Sequence, residues 1–161
     1  MNTLDNASTP EAAEHADVVL KLESFLPYQL SLASNTISGG IADLYAQRFK
    51  LSIPQWRAMA VIGRFDGLSA RDVAERTAMD KVAVSRALKR LENSGYLHRR
   101  MSAEDRRRSV LRLTREGRTI YDQIAPIAVD YERRLLDVLR PNERATLTDL
   151  LQRLMTHART L

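Results

Sequence analysis

The chain has 161 residues and a formal net charge of +5, with 25 Lys or Arg against 20 Asp or Glu and no cysteine. That length suits one well-buried core and is short for two, and the positive balance favours an anionic partner. The missing cysteine excludes a disulfide framework, a thiol nucleophile and cysteine-zinc sites, and it fits a reducing, cytoplasmic setting; no apolar run reaches membrane-spanning length.

Residues 1–19 are polar and include Asp5, Glu11 and Glu14, a pattern wrong for a signal peptide and expected of a mobile tail. Leu20 to Pro27 reads as a short helix or the approach to one. From Pro27 to about Lys50, Leu30, Ala33, Ile37, Ile41, Leu44 and Phe49 form a helical stripe. Within it, Gly39 and Gly40 each cost about 1 kcal/mol relative to alanine. They mark a kink or close helix crossing, or else space for a ligand against bare backbone. Ser52-Ile53-Pro54 opens the next helix with proline in its first turn, and Asp66-Gly67 closes it. Trp56, Met59, Ala60, Ile62 and Phe65 are core candidates. Trp56 either fills core volume or walls a pocket with Tyr28 and Tyr45.

The most informative stretch runs from Leu68 to Gly117. Ser69 can cap a helix over 70–77, with Asp72 completing a capping box, and Ala78-Met79 forms the turn. Asp80 can cap a second helix whose Val84, Ala87, Leu88 and Leu91 recur at spacings of three and four. Lys81, Ser85, Arg86, Lys89 and Arg90 then fall largely on the outer faces. Helix, tight turn and a second helix with a basic outer face are what place a recognition helix in a DNA major groove. Asn93-Ser94-Gly95 stops that helix. Tyr96 to Arg100 and Val110 to Leu113 are short enough to be strands, joined by an arginine-rich tip, which together make a wing suited to the minor groove. Between Lys81 and Arg118 lie twelve Lys or Arg against four Asp or Glu, so the excess positive charge sits on the proposed reader.

Thr114 can cap a long helix over 115–139 with Ile120, Ile124, Ile127, Tyr131, Leu135 and Val138 inward and Pro126 bending it. A last helix follows from about Asn142 to Ala158, with Leu147, Leu150, Leu151 and Leu154 as its stripe. The first helix and the last two carry more apolar surface than a small winged core can cover.

Asp105-Arg106-Arg107 followed by Leu113-Thr114-Arg115-Glu116-Gly117 resembles the wing signature of MarR-type regulators, an Asp-x-Arg with Leu-Thr-x-x-Gly at fixed distance. The "Asp-Lys-x-x-x-Ser-Arg" start and "Leu-Glu-x-x-Gly" end of the recognition helix are similar too, and the likeness runs from about Leu22 to Leu154. It implies a mostly α fold: a winged helix-turn-helix over about 52–114, flanked by dimerisation helices over about 20–50 and 115–161, together one domain over 20–161. In such regulators the flanking segments interleave into a two-fold dimer, and one head reads only a few base pairs, so a dimer would read a pseudopalindrome. The family usually has a small capping hydroxyl before the last helix, where this chain has Arg140.

The resemblance makes Arg107 the arginine entering the minor groove, oriented by Asp105. Ser85, Arg86 and Lys89 are the major-groove candidates; Arg90, Arg99, Arg100, Arg106 and Arg108 suit phosphate contacts, with Lys81 also on the basic face. Family members commonly respond to aromatic acids, phenols or coenzyme A thioesters, in a pocket to which Tyr28, Asn35, Ser38, Tyr45, Trp56 and Arg57 could contribute. No catalytic constellation, metal site or cofactor loop is legible: His15, His98 and His157 are far apart, and Glu104-Asp105 suits arginine partners better than acid/base work. The expected function is a ligand-responsive, sequence-specific DNA-binding regulator in the cytoplasm, a repressor released by its effector. The alternative is an effector-independent architectural DNA binder or protein-interaction module.

Overall fold

The computed structural model describes residues 19–101 and 109–161. The expected signature residues Asp105, Arg106, Arg107 and Arg108, and nearly all of the expected tail, lie outside them. Two compact units divide the chain at Asn35, inside the first long helix.

In the first unit a 3-10 turn over Leu22–Ser24 precedes helix α1, Leu26–Phe49, which has Pro27 in its first turn. The Gln29 side chain donates to the Glu23 carbonyl at 2.6 Å, tying the turn to the helix start. Leu26, Tyr28, Leu30 and Leu32 are exposed.

The second unit begins at Thr36 and holds the C-terminal part of α1 followed by α2 (Ile53–Arg64), α3 (Ala70–Thr77) and α4 (Lys81–Asn93). Strands β1 (Leu97–Met101) and β2 (Ser109–Leu113) come next, then α5 (Arg115–Leu135) and α6 (Pro141–Ala158). β1 and β2 form an antiparallel hairpin in which Leu97 pairs with Leu113 and Arg99 with Leu111. Leu68 adds one further bridge, the Leu111 amide donating to its carbonyl at 2.8 Å. That bridge ties the hairpin to the α2–α3 connection, and no alternation in the sequence signals it.

The core of this unit is where the apolar stripes of these elements meet. Met59 from α2, Val73 from α3, Leu88 and Leu91 from α4, Leu111 from β2 and Ile124 from α5 are almost wholly removed from solvent. Each such side chain contributes about 1.5–3 kcal/mol relative to exposure. The expected stripes of α1 and α5 are inward only in part: Phe49, Ile124 and their neighbours are covered, but Leu44 and Leu135 are exposed, and Val138 is 84 % exposed. Val138 is not on α5 at all, because a 3-10 turn over Leu136–Val138 ends that helix early.

Both glycine expectations in α1 resolve at Gly40. A side chain there would run into the Tyr131 hydroxyl, so Gly40 permits a close crossing of α1 and α5, whereas Gly39 faces open space. α6 starts at Pro141 without a hydroxyl cap. Glu143 supplies only the reciprocal half of a capping box, accepting from the Arg140 backbone N–H at 2.8 Å and from the Arg140 guanidinium.

Candidate nucleic-acid interface

The helix-turn-helix is set by three local devices. The Ser69 amide donates to Asp72 Oδ2 at 2.7 Å and the Asp72 amide donates back to Ser69 Oγ at 3.3 Å, a reciprocal capping box that fixes the start of α3. Ala78 then takes a left-handed conformation, φ 52° and ψ 27°, which reverses the chain in very few residues. Finally, the amides of Val82 and Ala83 donate to Asp80 Oδ1 at 2.9 and 2.8 Å, capping α4.

These devices orient α4 so that Val84, Ala87, Leu88 and Leu91 are buried and Lys81, Ser85, Arg86, Lys89 and Arg90 are exposed. None of those four cations forms an ion pair among the described residues. Arg100 and Arg112 on the hairpin are likewise exposed and without an ion pair there. A surface cation without an internal counter-charge is free to meet a phosphate, and several on one helix face multiply the effect.

Other arginines of the basic stretch are engaged within the protein. Arg99 on β1 bonds Glu92 of α4 at 2.5 Å, joining the hairpin to the recognition helix. Arg118 donates to the Gly63 carbonyl at 2.9 Å, closing the C-terminus of α2, and its guanidinium lies 5.0 Å from the Tyr121 ring centre. Sequence reasoning did not assign Glu92 this role; its position seven residues before Arg99, across a turn and strand, was the available signal.

Two concavities border the basic face. A hollow of about 640 Å³ between α3, the start of α4 and β1 includes Lys81, Ser85 and Arg99 in its lining. A smaller one of about 210 Å³ brings Arg86 and Arg90 beside Ser52 and Pro54 at the start of α2.

The base of the hairpin is held by Thr114. Its hydroxyl donates to the Gly95 carbonyl at 2.6 Å, accepts from the Gly117 amide at 3.0 Å, and its own amide donates to the Tyr96 carbonyl at 3.0 Å. Gly95 has φ 75°, the left-handed turn residue the sequence suggested. Gly117 is required for space: a Cβ there would overlap the Tyr96 carbonyl. The Leu-Thr-x-x-Gly pattern is therefore a cap and a close approach that join the wing to α5.

A family model described as the MarR family matches residues 49–108, which include the helix-turn-helix devices at Ser69, Ala78 and Asp80. The Bacillus subtilis HTH-type transcriptional regulator YfiV is 29 % identical over 108 residues, covering 66 % of this chain and 68 % of its own length. A MarR/EmrR-family transcriptional regulator from Acinetobacter sp. ADP1 has a similar structure, with a TM-score of 0.82, 25 % identity, and coverage of 88 % of this chain and all of that one. The chain carries a MarR-family winged helix-turn-helix match over residues 49–108 and is similar to HTH-type transcriptional regulators. It also shares its fold with BpsR of Bordetella bronchiseptica, whose DNA binding is regulated by 6-hydroxynicotinic acid, at a TM-score of 0.73 and 22 % identity over 86 % of this chain and 98 % of that one. Its matched relatives are transcriptional regulators and not enzymes.

Of the six effector-pocket candidates, Tyr28 and Asn35 belong to the first unit, where both are exposed. The other four lie in the second. Arg57 donates to Ser38 Oγ at 2.7 Å, and the Tyr45 and Trp56 rings are 5.8 Å apart. Trp56 is half-buried against the core and also lies 6.1 Å from Tyr121, an aromatic neighbour that sequence reasoning missed although it follows Ile120 on the apolar side of α5. Burial pushes the Tyr45 phenol up to about 12 from 10.0, with the nearby Arg57 charge pulling the other way. Among the described residues no cluster of His, Asp and Glu could hold a metal, and no helix is long and apolar enough to cross a membrane.

Proposed function

We propose that this chain is a MarR-family transcriptional regulator, acting in the cytoplasm as a homodimeric repressor that holds a pseudopalindromic operator through α4 and the wing and leaves it when a small aromatic acid or its coenzyme A thioester binds. The observation that carries the DNA reading is the exposed α4 face, where Lys81, Arg86, Lys89 and Arg90 form no ion pair among the described residues while the opposite face is locked into the core. Ser85, Arg86 and Lys89 are assigned to base edges, Lys81, Arg90 and Arg100 to phosphates. Asp105, Arg106, Arg107 and Arg108 complete the interface by their place in the wing motif.

Dimerisation is supported by the apolar residues left exposed: Leu147, Leu150, Leu154 and Met155 lie along α6, which buries no side chain of its own, and Val129 and Leu135 on α5. Contiguous apolar surface of this kind marks an interface. The effector class is supported by Arg57, which bonds Ser38 and whose charge acts on the Tyr45 phenol, together with the Tyr45–Trp56 ring pair, a combination that suits an aromatic carboxylate. BpsR, with the same fold, responds to such an acid.

The test is an operator titration in the presence of aromatic acids and their thioesters. The reading predicts that at least one lowers operator affinity tenfold or more and that Arg57→Met removes the response while leaving operator binding in place, a tenfold change being about 1.4 kcal/mol of coupling. Undiminished operator binding with every member of both classes would remove the effector from the account.

A further inference from the structure

We propose that Glu92 limits the sequence-independent hold of the recognition helix on DNA by neutralising Arg99, a cation that would otherwise meet a phosphate. The inference rests on the DNA-binding reading above and names a residue that tunes it. Along α4 the cations Lys81, Arg86, Lys89 and Arg90 are accompanied by a single acid, Glu92. That acid is spent across the seam to the hairpin, where Arg99 Nε on β1 donates to Glu92 Oε1 at 2.5 Å.

The position of Arg99 gives the pair its consequence. Arg99 lines the same hollow as Lys81 and Ser85, so its guanidinium borders the surface offered to the duplex. The pair is also better covered than its neighbour on α3. The Arg99 and Glu92 side chains are 41 % and 22 % exposed, against 85 % and 61 % for Arg71 and Glu75. A largely exposed pair is screened and readily exchanges its carboxylate for a phosphate, whereas a partly covered one is screened less and holds its partner. A guanidinium that stays neutralised releases no counterion from DNA and adds nothing to the non-specific part of binding. Glu92 therefore withholds one phosphate contact from each reading head, and the protein's grip on arbitrary sequence is weaker than its arginine content implies.

The test is the salt dependence of binding to a short duplex of scrambled sequence, followed by fluorescence anisotropy from about 50 to about 200 mM salt. Glu92→Gln keeps an oxygen for the Arg99 N–H and removes only the charge. It should steepen the slope of log affinity against log salt by about 0.9 for each copy bound, so that the affinity lost across this range grows about 3.5-fold per copy. Glu92→Ala, which also drops the hydrogen bond, should show the same gain, and a gain in binding cannot come from an unfolded chain. Adding Arg99→Ala to Glu92→Gln restores the original net charge and should return the slope to that of the unaltered chain. An unchanged or shallower slope in both Glu92 variants would overturn the proposal. So would a steepening that persists without Arg99, since the gain would then be a general charge effect. Failure of the unaltered chain to bind any duplex would instead remove the DNA reading, and this inference with it.

Discussion

Gly117 lies so close to Tyr96 that a Cβ at Gly117 would overlap the Tyr96 backbone carbonyl. Because the obstacle is backbone and not the end of a flexible side chain, Gly117→Ala must displace either the hairpin base or α5. Overpacking of this kind costs about 1–3 kcal/mol. The melting temperature should fall by about 3–10 °C in a chain of this size. An unchanged melting temperature would show that the junction relaxes freely.

Asp80 caps the recognition helix through two backbone amides. Asp80→Ala should lower stability by about 1 kcal/mol in urea denaturation, and Asp80→Asn, which still offers an acceptor, by much less. Equal losses in both variants would assign the effect to charge instead of the cap.

These two positions show what kind of information a sequence carries well. Asp80, the Ser69–Asp72 pair, Thr114 and Gly95 act on backbone within a few residues, so their chemistry is written locally, and each occupies its expected place. The α4 stripe was legible for the same reason, as a period of three and four. Partnerships across the chain were not: Arg99 with Glu92, Arg118 with the Gly63 carbonyl, Trp56 with Tyr121 and Leu68 with Leu111 all depend on how elements pack. Ala78 was legible as a turn but not as a left-handed residue, since alanine carries no preference for that conformation.

The division between free and engaged arginines predicts unequal effects on DNA binding. Arg86→Ala should weaken binding through lost base contact, and Lys81→Ala and Arg90→Ala, assigned to phosphates, should each reduce the slope of log affinity against log salt by about 0.9. Arg99→Ala, whose guanidinium is held by Glu92, should change that slope little and instead lower stability. A steeper loss of DNA affinity for Arg99→Ala than for Arg86→Ala would contradict the assignment.

Tyr45 gives the stability an alkaline limb. Its phenol keeps its proton up to about 12 in the folded chain, whereas an unfolded tyrosine sheds it near 10.0. Below that lower value both states are protonated and the contribution is fully present. Between the two values the unfolded state alone loses the proton, so stability falls as pH rises. Denaturant titrations on either side of about pH 10 should show this fall, and Tyr45→Phe should flatten it. A slope of the same size in the phenylalanine variant would place its origin elsewhere.

The most direct test of the central claim, that paired copies of this chain read DNA through α4, is selection of bound duplexes from a random pool followed by sequencing. The account predicts enrichment of one motif with two inverted half-sites spaced by about one helical turn, lost on Arg86→Ala with Lys89→Ala. A pool that emerges unenriched, or a single unrepeated site, would contradict it.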